Sequence, residues 1–283
     1  MGKLKKFVEI WKKEGPAYAV KKVARRVTYR MTADYRVETR RKKLSSSLDA
    51  LFDSTIAYGP FKGLKLPAES WWGTDRAAMV FGLYEQEILT SLANLPPQYK
   101  TFIDLGAAEG YYGVGVLVNN LFQRSYCFEQ SPKGRKIIAS SAEMNRVSER
   151  VSIHGIADRN FYNLIPLEAR SGSVLLVDIE GGEFDLFDQE LFGAFKDSTI
   201  FIELHQWIVG DGDNKLAKLR DDASKYFEIT EITTTSRDLS VFSELKHFSD
   251  TDRWLICSEG RPLLMTWYKL TPIRRITQTA PNF

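Results

Sequence analysis

The chain has 283 residues, 43% of them hydrophobic and 27% charged, with a net charge of +3 and two cysteines. This composition supports one large apolar core and argues against a disulfide framework or a thiolate metal site. No stretch reaches the roughly 18 uninterrupted apolar residues that a membrane span requires, and the opening residues lack the pattern of a signal peptide or a myristoylation signal, so a cytoplasmic location is expected.

Charge is unevenly distributed. Residues 1–43 hold 15 Lys and Arg against 4 Asp and Glu, a net of +11, so the remainder carries −8. In "KLKKFVEIWKKEGPAYAVKKVARRV" the apolar Leu4, Phe7, Val8 and Trp11 recur near helical spacing among lysines, and Gly15-Pro16 interrupts the pattern. This predicts a basic amphipathic helical arm over 1–43. It suits either an anionic membrane surface, as in a peripheral protein of the inner membrane face, or packing on its own domain or on a second copy in a homo-oligomer. Nucleic acid is disfavoured as a partner, because everything after Lys43 is acidic. Residues 44–73, with Ser45-Ser46-Ser47 and the turn-forming "YGPFKG", read as a linker and lead-in.

The domain proper is expected over 74–260, with a tail at 261–283. Thr74 to Leu95 reads as one helix closed by Pro96-Pro97. Strand and helix patterns then alternate. "TFIDLG", "RSYCFEQ", "RVSIHGIA", "SVLLVDIE" and "DSTIFIELH" read as strands, separated by helices in "YYGVGVLVNNLF", "PKGRKIIASSAEMNRV" and "GGEFDLFDQELFGAF". The helix "DNKLAKLRDDASKY" follows, and "YFEITEITTT" and "RWLICSEG" come as two final strands, placing Cys127 and Cys257 in strands. Parallel units closed by an antiparallel pair give an α/β sandwich with one reversed strand.

The turn after the first strand, "DLGAAEG", carries Gly106, Ala107, Ala108, Glu109 and Gly110. A Gly-rich turn at a strand's carboxyl end admits a ligand close to the backbone. Counting from Gly106, the third and sixth positions are Ala108 and Tyr111, so the glycine fingerprint of pyrophosphate binders is absent. Glu129, followed by Gln130, ends the next strand 25 residues after Asp104, near the interval at which an acid reaches ribose hydroxyls. Asp158, after the third strand, is a candidate for an adenine edge. Asp178, Glu180 and Glu183 gather after the apolar run "LLV", where charge needs a reason.

The spacing Asp104-x-Gly106-x-x-x-Gly110 resembles the turn of class I methyltransferases bound to S-adenosylmethionine. Together, "FIDLGAAEGYYG", "FEQSP", "VDIEGGEFDLF" and "IFIELH" resemble the FkbM family of S-adenosylmethionine-dependent methyltransferases, as does the upstream "GLYEQEI". The resemblance covers roughly Phe52 to Gly260. It departs from the family's common pattern at Ala108-Glu109 and at Gln130, where Asn with an apolar residue and Pro are usual. It implies a Rossmann-like class I methyltransferase sandwich, a mostly parallel seven-stranded sheet with one antiparallel strand and helices on both faces. It also implies S-adenosylmethionine as cofactor and methyl transfer to a hydroxyl of a glycan or other small-molecule acceptor. By position, Asp104, Gly106, Ala107, Gly110 and Glu129 would hold the cofactor, and Asp178, Glu180 and Glu183 would form the acidic box.

For the chemistry, His205 is the expected base, with Asp178 or Glu203 orienting it, because an imidazole titrates near neutrality. Asp178 with Glu180 or Glu183 also offers oxygen ligands to a divalent cation, the less favoured reading. Trp71, Trp72 and Trp207 are candidates to line an acceptor pocket. The rival to an enzyme is a non-catalytic cofactor-binding or assembly module working through its basic arm.

Overall fold

The computed structural model describes residues 32–70 and 73–273. After the helix α1 (Ala33–Leu51) comes a turn-rich lead-in, then α2 (Arg76–Val80), α3 (Gln86–Ala93), β1 (Thr101–Leu105), α4 (Tyr111–Val118), β2 (Arg124–Phe128), α5 (Pro132–Met144) and β3 (Val151–His154). Then follow α6 (Leu167–Arg170), β4 (Val174–Val177), α7 (Glu183–Leu186), α8 (Gln189–Ala194), β5 (Thr199–Glu203), α9 (Gly212–Ser224), β6 (Phe227–Thr233), α10 (Asp250–Cys257) and β7 (Thr266–Pro272).

The seven strands form one sheet in the order β3-β2-β1-β4-β5-β7-β6. β1 to β5 run parallel, and β7 lies antiparallel to both β5 and β6. The sandwich with one reversed strand is therefore the architecture of this chain. Strand side chains alternate between two cores, as the period of two requires. Phe102, Val174, Leu176 and Phe201 pack with Ile88, Leu89, Val116, Leu117 and Ile138 on one face. Ile103, Leu105, Leu175, Val177, Ile200 and Ile202 meet Leu186, Phe192 and Leu219 on the other. At about 1.5 to 3 kcal/mol for each fully buried large apolar side chain, these two layers dominate the folding energy.

A third cluster, with Leu44, Leu48, Ala78, Phe81, Phe242, Leu245 and Ile256, joins α1, α2 and α10 into a cap. It fixes the chain just before β7. Arg41 bonds Asp75 at 2.6 Å and the Ser258 carbonyl at 2.6 Å, and a Cβ on Gly260 would stand 2.1 Å from its Nη1.

Four sequence expectations change. The Ser45-Ser46-Ser47 run lies inside α1, because Ser45 is buried and staples the helix to the start of α2, accepting from Ala77 N–H and donating to the Thr74 carbonyl. The stretch Thr74 to Leu95 is two helices, broken where Gly82 turns at φ +65° against the Tyr58 carbonyl and Glu85 sits left-handed at φ +46°. "GGEFDLFDQELFGAF" likewise splits at Phe187-Asp188, with Asp188 capping α8 at Leu191 N–H. The "RWLIC" of "RWLICSEG" ends helix α10, capped by Ser249, and the reversed strand comes from "TWYKLTP", inside the expected tail. A short apolar run does not reveal its own period, whereas β7 pairs with β6 along seven registered residues. Cys127 is buried in β2 and Cys257 ends α10; both are free. Of the basic arm expected over 1–43, residues 1–31 lie outside the described residues, as do Trp71 and Trp72, and the rest from Ala33 onward belongs to α1. Among the described residues no helix is long and apolar enough to cross a membrane.

Candidate functional site

Strand order reverses between β1 and β4, and there the carboxyl ends of β1, β2 and β4 open a cleft of about 460 Å³. Backbone bonds tie the three ends together. Gly106 and Ala107 N–H both donate to the Phe128 carbonyl, at 2.9 and 3.0 Å, and Asp178 N–H donates to the Leu105 carbonyl at 2.9 Å. Gly106 is obligatory here: it adopts φ +89°, and a Cβ would stand 1.8 Å from the Asp178 carbonyl oxygen. The closest approach that excludes its side chain is thus to β4's end.

Glu129 is held as firmly. Its carboxylate accepts from Ala108 N–H at 2.9 Å and Ser131 N–H at 2.6 Å, and Gly134 leaves no room for a Cβ beside its Cγ. Each carboxylate oxygen retains acceptor capacity beyond one such bond. Gly106, Glu129 and Gln130 line the cleft, opposite an apolar lip of Ile156, Ala157 and Leu186 that sequence reading missed. Asp104, Ala107 and Glu109 instead line an inner cavity that shares Gly106, Ala108 and Asp178 with the cleft. Asp104 accepts from Gly113 N–H at 2.9 Å, and burial pushes its carboxyl up to about 7 against that bond. Gly110 packs on Val114 and Ile138. Asp158 is exposed and folds back on Asn160 N–H at 2.8 Å, an Asx turn outside the cleft lining.

The acidic box and β5 meet at the other side of the cleft. Glu183, wholly buried, accepts from Gly181 N–H and from His205 N–H, both at 2.9 Å, and its Oε1 stands 3.4 Å from His205 Nδ1. Glu183 thus holds the backbone at His205, while the ring's Nδ1 is buried without a hydrogen-bond partner. The two-glycine spacer "EGGE" was the available signal, since Glu180 at φ +53° and Gly181 at φ +96° make the reversal.

His205 Nε2 points at three carboxylates: Asp178 Oδ1 at 3.7 Å, Glu180 Oε2 at 3.6 Å and Glu203 Oε2 at 3.7 Å. Burial, then Asp178, pushes Glu203 up to about 8; burial, then Glu85, pushes Asp178 up to about 7. For His205, burial works against the charged form, and the nearby Glu183 carboxylate with the other surrounding acids outweighs it, so its pKa is raised. Among the described residues, Asp178, Glu203 and His205 are the group whose donor atoms all lie within 4.8 Å of one another.

Two further side chains complete the site. Arg261 bonds both Glu203 and Glu85, and its Nε meets Glu259 Oε2 at 2.8 Å. Glu85 also accepts from Tyr112 Oη at 2.5 Å, and burial followed by Glu203 pushes it up to about 7. Both were hidden by local pattern, Arg261 in an apparent tail and Glu85 in an apparent helix. His154 stacks on Phe128 at 4.8 Å, away from this cluster, and Trp207 is 44% exposed just past His205.

No protein-family model matches the chain, and no curated protein matches it. Among solved structures, an O-methyltransferase from Bacillus cereus in complex with SAH is 12% identical with TM-score 0.43, over 82% of this chain and 90% of that one. Sp1610 of Streptococcus pneumoniae, a putative tRNA (m1A22) methyltransferase, is 11% identical with TM-score 0.44, over 66% and 69%. A putative precorrin-6Y C5,15-methyltransferase domain from Corynebacterium diphtheriae is 18% identical with TM-score 0.42, over 68% and 99%.

Proposed function

We propose that this chain is an S-adenosylmethionine-dependent methyltransferase acting on a hydroxyl of a glycan or other small-molecule acceptor. The observation that carries the reading is one juxtaposition. A backbone-anchored strand-end carboxylate, Glu129, faces the switch-point cleft, and Asp178 at the cleft's opposite rim belongs to the acid–histidine cluster.

In this reading Glu129 accepts from the ribose hydroxyls, and Ile156, Ala157 and Leu186 cover the adenine. S-adenosylmethionine held there would supply a methyl group to an acceptor oxygen and leave as a neutral thioether. The Asp178–Glu203–His205 cluster would take the hydroxyl proton as the oxygen is methylated. Alignment in a fixed cleft is worth roughly 7 to 11 kcal/mol in well-oriented cases. Proton removal adds a smaller factor, about 10²- to 10⁴-fold. The acceptor class follows the FkbM resemblance of "VDIEGGEFDLF" and its companion motifs.

Calorimetric titration with S-adenosylmethionine tests the reading. Micromolar binding by the wild type, lost in a Glu129→Gln variant whose melting curve remains cooperative, is the expected result. No binding by a folded wild type would overturn it and favour the assembly module.

A further inference from the structure

We propose that Asp178, Glu203 and His205, with Glu180 at the rim, form a binding site for one divalent first-row transition-metal ion. His205 is 3% exposed, and its Nε2 stands 3.6 to 3.7 Å from oxygens of three carboxylates. Asp178 Oδ1 is buried without a hydrogen-bond partner. Glu203 commits Oε1 to Arg261 and leaves Oε2 facing the imidazole at 3.7 Å. Carboxylate oxygens and an imidazole nitrogen thus converge at separations too long for hydrogen bonds, which span about 2.7 to 3.2 Å. Atoms sharing a cation through bonds of about 2.1 Å stand roughly 3.0 to 3.5 Å apart, close to the 3.6 to 3.7 Å between Nε2 and the three carboxylates.

Glu183 Oε1 accepts from the His205 backbone N–H and so holds the chain at the point from which the ring reaches the three carboxylates. One imidazole among carboxylates suits manganese, iron, cobalt or zinc better than calcium or magnesium, whose preference is all-oxygen, and thiolate-seeking ions find no sulfur in the cluster.

The ion's role rests on the methyl-transfer reading: it would bind the acceptor hydroxyl and lower its pKa, with His205 then a ligand. Its binding does not rest on that reading, so the test uses Mn2+ alone. After chelator treatment and dialysis, the full chain titrated with Mn2+ is followed by the free-ion electron paramagnetic resonance signal. One equivalent should bind in the micromolar range, with nitrogen coupling from an imidazole. Asp178→Asn and His205→Gln should each weaken binding at least tenfold, while the exposed Asp213→Asn leaves it unchanged. Failure of the wild type to bind Mn2+ below millimolar concentration would overturn the assignment. So would unaltered binding in both site variants, provided that their circular dichroism matches the wild type. If S-adenosylmethionine binds and Mn2+ does not, the metal site falls and the enzyme reading stands; the converse result separates them the other way.

Discussion

The two sides of the cleft answer their acids differently. On the β1–β2 side Asp104 and Glu129 are each answered by backbone N–H groups: Asp104 by Gly113, Glu129 by Ala108 and Ser131. On the β4–β5 side Glu183 is held in that way, but Glu203, Glu85 and Glu259 gather on Arg261, and Asp178 Oδ1 goes unanswered. The first arrangement makes a rigid seat; the second holds electrostatic potential that a cation, a proton or a substrate can relieve. Buried acids left without donors cost stability, so their retention at a cleft is a mark of function.

The largest effect should come from the seat. Gly106→Ala places a Cβ into the Asp178 carbonyl and strains a left-handed backbone, so urea denaturation should show a loss of at least ~4 kcal/mol or no folded protein. A loss under ~1 kcal/mol would mean that the strand ends yield and that the seat is not rigid. Arg261→Met should cost about 3 kcal/mol, because it strands Glu85 and Glu203 without their shared cation, while Glu259 keeps Arg237; equal midpoints would show that water already screens them. His205→Gln breaks the comparison functionally. It should lower kcat about 100-fold or more while leaving the affinity for S-adenosylmethionine within about twofold, as calorimetry can verify. Smallest of all, Asp158→Asn should leave cofactor affinity within about twofold, since its carboxylate caps Asn160 and lies outside the cleft lining. A tenfold loss there would extend the cofactor seat beyond β3.

Legibility in the sequence followed the range of the interactions. The Gly106 turn, Glu129 and the acidic box stand next to apolar strand runs, so local contrast exposed them. The parallel strands also declared themselves, because β1, β4 and β5 are buried on both faces and read as continuous apolar segments. Arg261 and Glu85 left no such mark. Arg261 matters because α1 clamps Ser258 and Gly260 through Arg41, a contact spanning 217 residues to Ser258. Glu85 matters because the chain breaks helix at Gly82 to meet Tyr58, and its carboxylate lies on the inner cavity.

Alternating apolar strands and helices, an acid at the end of β2 and a Gly-rich turn were therefore determined by the sequence itself, since each is a relation among neighbours a few residues apart. Only the tertiary structure decided which segment became the reversed strand, that Glu183 accepts from the His205 backbone N–H, and that Arg261 joins the acid cluster. The physical reason is pairing at a distance. "RWLICSEG" and "TWYKLTP" are both short apolar runs, and what separates helix from strand is the ladder that β6 and β5 offer to the second. A carboxylate's partner, likewise, is whichever donor the folded chain delivers to it.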